Sequence, residues 1–200
     1  MIHVEPQPEP ARFNVQVRSK GKAFLTNKGI APGAVVPGGF KFEPYWRDCL
    51  DDLHRVYGGI CAYLCIYFER GTGAGTVDHF VAKSTDRAEL AYEWSNYRLA
   101  CAAMNSRKHR FDDVLDPFDV RDGIFRIELV SGAIYPDQEL PPIERDQVQK
   151  TIDRLGLDDP LYREMRARHY QEYCQKEYTE AFLKRSSPFV WMEAKRQGLL

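Results

Sequence analysis

A mixed α+β fold is expected for this chain, on three observations. The middle of the sequence reads as strand, strand, helix. A second strand pair follows it, and the C-terminal part has a helical period broken only by turn residues. The expected organisation is an extended arm and loop over residues 1–44, a core with its preceding helix over 45–120, and a β-hairpin with helices over 121–200.

Residues 1–12 contain Pro6, Pro8 and Pro10, which forbid a regular helix or central strand and predict an extended arm. Residues 13–18 (FNVQVR) alternate apolar and polar and predict a short strand. Residues 29–39 (GIAPGAVVPGG) lack a GxGxxG pattern and a Lys-Ser/Thr ending, so they predict a turn-rich connector rather than a phosphate cradle. Pro44 opens a helix that runs to about Tyr57. Its Trp46, Cys49, Leu50, Leu53 and Val56 share one apolar face, and Gly58-Gly59 stop it. The apolar, aromatic run 60–68 predicts a strand. Gly71, Gly73 and Gly75 predict a turn, and residues 76–80 the return strand of a hairpin.

Residues 83–89 read as polar loop, and residues 99–109 as a helix with Cys101, Met104, Asn105 and Lys108 on one face. Leu115-Asp116-Pro117 breaks that run. Residues 123–134 predict another hairpin, and Pro141-Pro142 a linker. Residues 144–155 and 161–183 predict helices separated by Gly156 to Pro160, and Ser187-Pro188 begins a last turn. The 161–183 helix mixes charges around a stripe of Tyr162, Tyr170, Tyr173 and Phe182, read as a packed helix with a solvated outside.

Composition narrows the function classes. With 200 residues, 44% hydrophobic and 28% charged, the chain suits one domain with appendages. A formal net charge of −1 argues against coating nucleic acid by charge alone, while leaving room for a local basic patch. No apolar run approaches the roughly 20 residues of a membrane span. The first residues lack a basic-then-apolar signal pattern, so a cytoplasmic, membrane-free protein is expected. Five irregularly spaced cysteines fit reduced thiols.

The candidate chemistry lies between Asp78 and Arg110. Hydrolysing a phosphodiester needs a base for water, neutralisation of the phosphoryl charge and stabilisation of the leaving oxygen. His79 suits the first task, because an imidazole titrates near neutrality. Asp78 and Asn105 offer hard oxygen ligands for Mg²⁺ or a similar cation such as Mn²⁺. Asn96 is placed to hold the hairpin and loop and so to orient His79. Lys108, one turn beyond Asn105, is placed to meet a phosphate, with Arg107 and Arg110 anchoring the flanking backbone. His109 lies in the same basic turn. His54, on the helix after Pro44, reads as a surface residue, and His3 and His169 show no evident partners.

These residues carry a resemblance. Asp78-His79-Phe80-x-x-Lys83-Ser84, then Tyr92-x-Trp94-x-Asn96, then Cys101-x-x-x-Asn105-x-x-Lys108 resemble the HNH endonuclease superfamily. Within it, they are most similar to the HNH proteins beside an ATPase in Septu-type and retron-associated anti-phage systems. Leu115-Asp116-Pro117, Gly132 with Ile134, and the run from Thr151 to Leu157 extend the likeness over about residues 50–170. The resemblance implies a ββα-metal (His-Me finger) HNH core and a divalent-metal-dependent nuclease. Its substrate would be DNA, with RNA less favoured, and an ATPase partner would direct it. It implies His79 as general base, Asp78 and Asn105 as metal ligands, Asn96 as the positioning residue, and Lys83 among the nucleic-acid contacts. The alternative is a catalytically silent HNH-fold binding or assembly module.

The sequence also departs from the family pattern. Members carry two Cys-x-x-Cys pairs around a structural Zn²⁺. Here the first pair is Cys61 and Cys65, one residue longer, and the second is Cys101 with Met104 in place of a thiol. Structural zinc takes four Cys or His ligands, and a thioether is a poor one. The expectation leans to an apolar plug of Ile60, Leu64, Met104 and the cysteines, with His54 as a distant substitute ligand.

Overall fold

The computed structural model describes residues 1–72, 74–83 and 87–200; Gly73 of the expected turn and Ser84 of the motif lie outside them. The fold is mixed α+β, with two small antiparallel sheets among the described residues. None of the described helices is long and apolar enough to cross a membrane. The chain divides into two compact units that interleave along the sequence. One comprises Pro6–Gly59 and Phe68–Asp112, and the other Met1–Glu5, Ile60–Tyr67 and Asp113–Leu200.

The first unit begins in a helix rather than the expected strand. A π-helical turn, Asn14–Arg18, runs straight into α1, Ser19–Asn27. The alternation of residues 13–18 loses to a longer pattern: Phe13, Val17, Gly21 and Leu25 recur at every fourth position and are all buried. Gly21 is required, because a Cβ there would fall inside the Tyr92 ring. The segment after Pro44 is helical as expected, a 3₁₀ stretch Tyr45–Cys49 followed by α2, Leu50–Val56. Gly58 and Gly59 then adopt φ of 59° and 70°, the left-handed conformation that ends a helix.

Strand β1, Gly75–His79, lies where a strand is expected, but its partner differs. It pairs antiparallel with β2, Tyr97–Cys101, in a register that sets His79 opposite Tyr97 and Gly75 opposite Cys101. Residues 99–101 fall in the expected helix over 99–109 and are strand instead. Burial on both faces removes the alternation that would mark them as a strand. Helix α3, Ala102–Lys108, follows at once, with the Ala102 amide bonded to the Ala74 carbonyl at 2.8 Å. The core beneath these elements is built from Phe13, Val17, Leu53, Val77, Tyr92, Trp94, Tyr97 and Leu99 among others.

In the second unit, residues 60–67 form a tight reversal instead of a strand. Ile60 bridges Tyr67, the Cys65 amide reaches the Cys61 carbonyl at 2.8 Å, and Cys65 takes φ of 55°. A continuous apolar run does not discriminate a strand from a buried turn. The later hairpin is present as β3, Phe125–Ile127, and β4, Ile134–Pro136. Glu128 accepts the Val130 and Ser131 amides at 2.9 and 2.7 Å and shapes its turn. Helices α4 (Pro142–Leu155), α5 (Pro160–Cys174), α6 (Glu180–Ser186) and α7 (Pro188–Arg196) complete the unit. The expected helix over 161–183 is therefore broken. Lys176 turns left-handed at φ 63°, and the Thr179 hydroxyl caps α6 by accepting the Phe182 amide.

Candidate functional site

β1 delivers Asp78 and His79 to a cleft of about 660 Å³ inside the first unit, and α3 delivers Asn105 to the same cleft. Val36, Phe40, Phe42, Trp46 and His109 form another part of its lining, and Lys83 and Arg110 add positive charge. The register places Asp78 and His79 at the last two positions of β1, where the strand leaves the sheet.

His79 is held on several sides. Its Nε2–H donates to the Ala91 carbonyl at 3.0 Å, since a carbonyl oxygen only accepts. That bond fixes the tautomer and leaves Nδ1 as the lone-pair nitrogen. The rings of Trp46 and Tyr97 meet the imidazole edge-on at 4.8 and 5.0 Å. The Tyr97 hydroxyl also donates to the Ala91 carbonyl, at 2.8 Å. Burial, and after it the nearby Lys83 ammonium, push the imidazole pKa down to about 3. His79 is therefore neutral, the proton-accepting form, at any physiological pH.

Asn96 clamps the loop that carries that carbonyl. Its Oδ1 accepts the Val81 amide at 2.8 Å, while its Nδ2 donates to the Val81 and Leu90 carbonyls at 3.1 and 3.0 Å. Its own carbonyl accepts the Phe80 amide at 2.9 Å. Asn96 thus joins the residue after His79 to the segment leading to Ala91, and it does not line the cleft.

Lys108 departs from its expected role. It is 0% exposed, and its ammonium donates to the Phe80 and His79 carbonyls at 2.6 and 3.2 Å and lies 3.9 Å from the Asp78 carboxylate. A side chain so enclosed does not meet a phosphate; it staples α3 to three successive residues at the end of β1. Of the other basic residues, Lys83 and Arg110 line the cleft, and Arg107, half-buried in the last turn of α3, does not. Lys83 lies 3.8 Å from the Trp46 ring centroid, and burial lowers its pKa to about 8, opposed by the Asp78 carboxylate.

Comparison with protein-family models and with curated proteins returned no match.

The donor set suits a hard cation. Asp78, 1% exposed, supplies a carboxylate. Asn105 Nδ2 reaches the Val77 carbonyl at 3.5 Å, so Oδ1 is the amide atom that remains to act as a ligand. One carboxylate with a neutral oxygen is the sparse protein contribution that Mg²⁺ accepts, water and substrate oxygens filling the rest. Of the residues in the expected zinc pairs, Cys61 and Cys65 belong to the second unit and Cys101 and Met104 to the first. Among the described residues no group of three or more His, Cys, Asp or Glu is arranged to hold a metal ion. Burial raises the pKa of the Cys65 thiol.

The sequence reading missed Trp46 and Tyr97 as neighbours of His79, and the Ala91 carbonyl as its partner. The aromatic residues were visible as core. The carbonyl has no side-chain signature at all.

Proposed function

We propose that this protein is a divalent-metal-dependent HNH endonuclease with a ββα-metal core, formed by β1, β2 and α3, that hydrolyses phosphodiester bonds in DNA. One observation carries the reading: a tautomerically fixed, neutral His79 shares a cleft with the hard oxygen donors Asp78 and Asn105.

His79 Nδ1 takes the proton of the attacking water. The Ala91 carbonyl accepts the Nε2–H bond throughout and stabilises the imidazolium that forms. Asp78 and Asn105 would hold Mg²⁺ or Mn²⁺, which when bound supplies charge stabilisation to the phosphoryl group and the leaving oxygen. Lys83 and Arg110 position the phosphate backbone. Asn96 and Lys108 hold the main chain from His79 onward. In line with the resemblance, an ATPase partner in an anti-phage system would direct the nuclease, since a net charge of −1 gives it little affinity of its own.

The test is conversion of supercoiled plasmid to nicked circles in Mg²⁺ or Mn²⁺. Cleavage is expected to stop with a chelator and in Asp78→Asn. A second reading, a silent HNH-fold binding module, is favoured by the low basicity and 6% exposure of His79. It would be supported by plasmid left intact in both ions, with the partner ATPase present.

A further inference from the structure

The cleft has an aromatic wall that the hydrolytic groups do not use. Trp46 is already engaged, with the Lys83 ammonium 3.8 Å from its ring centroid and His79 edge-on at 4.8 Å. Phe40 and Phe42 remain. They meet each other edge-to-face at 4.9 Å, and behind them lie Phe24, 5.9 Å from Phe40, and Tyr92, 6.4 Å from Phe42. Both are half-buried and line the cleft, so each keeps part of its ring on the cavity. Its 660 Å³ falls within the roughly 300–1,000 Å³ of sites that enclose a small organic group.

We propose that Phe40 and Phe42 form a stacking site for an unpaired nucleobase, and that the substrate is single-stranded nucleic acid whose phosphates meet Lys83 and Arg110. This rests on the phosphodiesterase reading above. Base faces inside a duplex are covered by their neighbours, and only an unpaired or extruded base offers one to an aromatic side chain. The hydrolytic groups are also sunken, with Asp78 1% and His79 6% exposed. A phosphate reaches them by entering the cleft, which a flexible strand does at lower cost than a duplex whose persistence length is about 150 base pairs. Stacking needs no charge, and the chain has little net charge to offer, at −1.

The test is fluorescence anisotropy with the full chain and a chelator present, so that nothing is cleaved. The probes are labelled single-stranded DNA and RNA of one sequence, their duplexes, and the DNA strand with abasic sites. Single strands are expected to bind about tenfold tighter than duplexes, with a similar loss for the abasic strand. Phe40→Leu is expected to weaken single-strand binding about tenfold, and Phe40→Trp to retain it. The tighter of the DNA and RNA strands identifies the polymer. Equal affinity for single strand and duplex, or for abasic and intact strands, overturns the proposal, as does wild-type affinity in Phe40→Leu. Where Phe40→Leu lowers the melting temperature, the abasic strand decides, since it is read on the unaltered protein. Single-strand preference in a chain that never cuts keeps the stacking site and removes the nuclease reading. Cutting of duplex without such preference does the reverse.

Discussion

His79 depends on groups that do not line the cleft. The Ala91 carbonyl sets its tautomer, and Asn96 sets the loop that presents that carbonyl. Asn96→Ala removes three part-buried side-chain hydrogen bonds and deprives the Val81 amide and carbonyl of theirs, an expected loss of about 2–3 kcal/mol by urea unfolding. Lys108→Met is expected to cost about 3 kcal/mol in the same experiment, because it removes an ammonium facing the buried Asp78 carboxylate and that ammonium's bonds to the His79 and Phe80 carbonyls. A variant as stable as wild type would contradict this stapling role. The sequence could nominate Asp78, His79, Asn96 and Asn105, because their types and spacing are distinctive. It misread Lys108, since a lysine in a basic turn gives no sign of whether its ammonium faces water or main chain.

Helices and strands were readable where one periodicity dominated and misread where two competed. The helix after Pro44, strand β1 and the 125–136 hairpin follow patterns that point one way. Residues 13–18 alternate by two because Val15, which is exposed, falls between Phe13 and Val17 of the four-residue stripe that continues to Gly21 and Leu25. Strand β2 is buried on both faces, so the helical spacing that begins at Cys101 was extended backward over it. The fit of α1 against Tyr92 has a direct test. Gly21→Ala gains helix propensity yet is expected to destabilise the protein by about 1–3 kcal/mol, because its methyl has no room beside that ring. A Tm at or above wild type would mean that α1 packs differently.

Across the whole molecule, the two units interleave because residues 60–67 join the later part of the chain, through the Tyr67 amide to the Ser186 carbonyl at 2.9 Å. No local pattern announces a pairing over that distance in sequence. In the same unit His169 contacts the Ser187 hydroxyl, and burial holds its imidazole below the ordinary value of 6.5. The unfolded chain therefore binds more protons there than the folded one as pH falls below about 6.5. Stability from this site is complete above that pH and is lost as pH falls through the folded value. The Tm advantage of wild type over His169→Gln should accordingly narrow from about pH 7.5 to about pH 5, and an unchanged difference would contradict the assignment.

The nuclease reading comes to rest on one rate. Single-turnover cleavage of single-stranded and of plasmid DNA in Mn²⁺, wild type against His79→Ala with matched melting temperatures, should fall by about 10²–10⁴-fold in the variant on whichever substrate is cut. Equal rates in the two proteins, or no cleavage by wild type in any divalent ion, would contradict it.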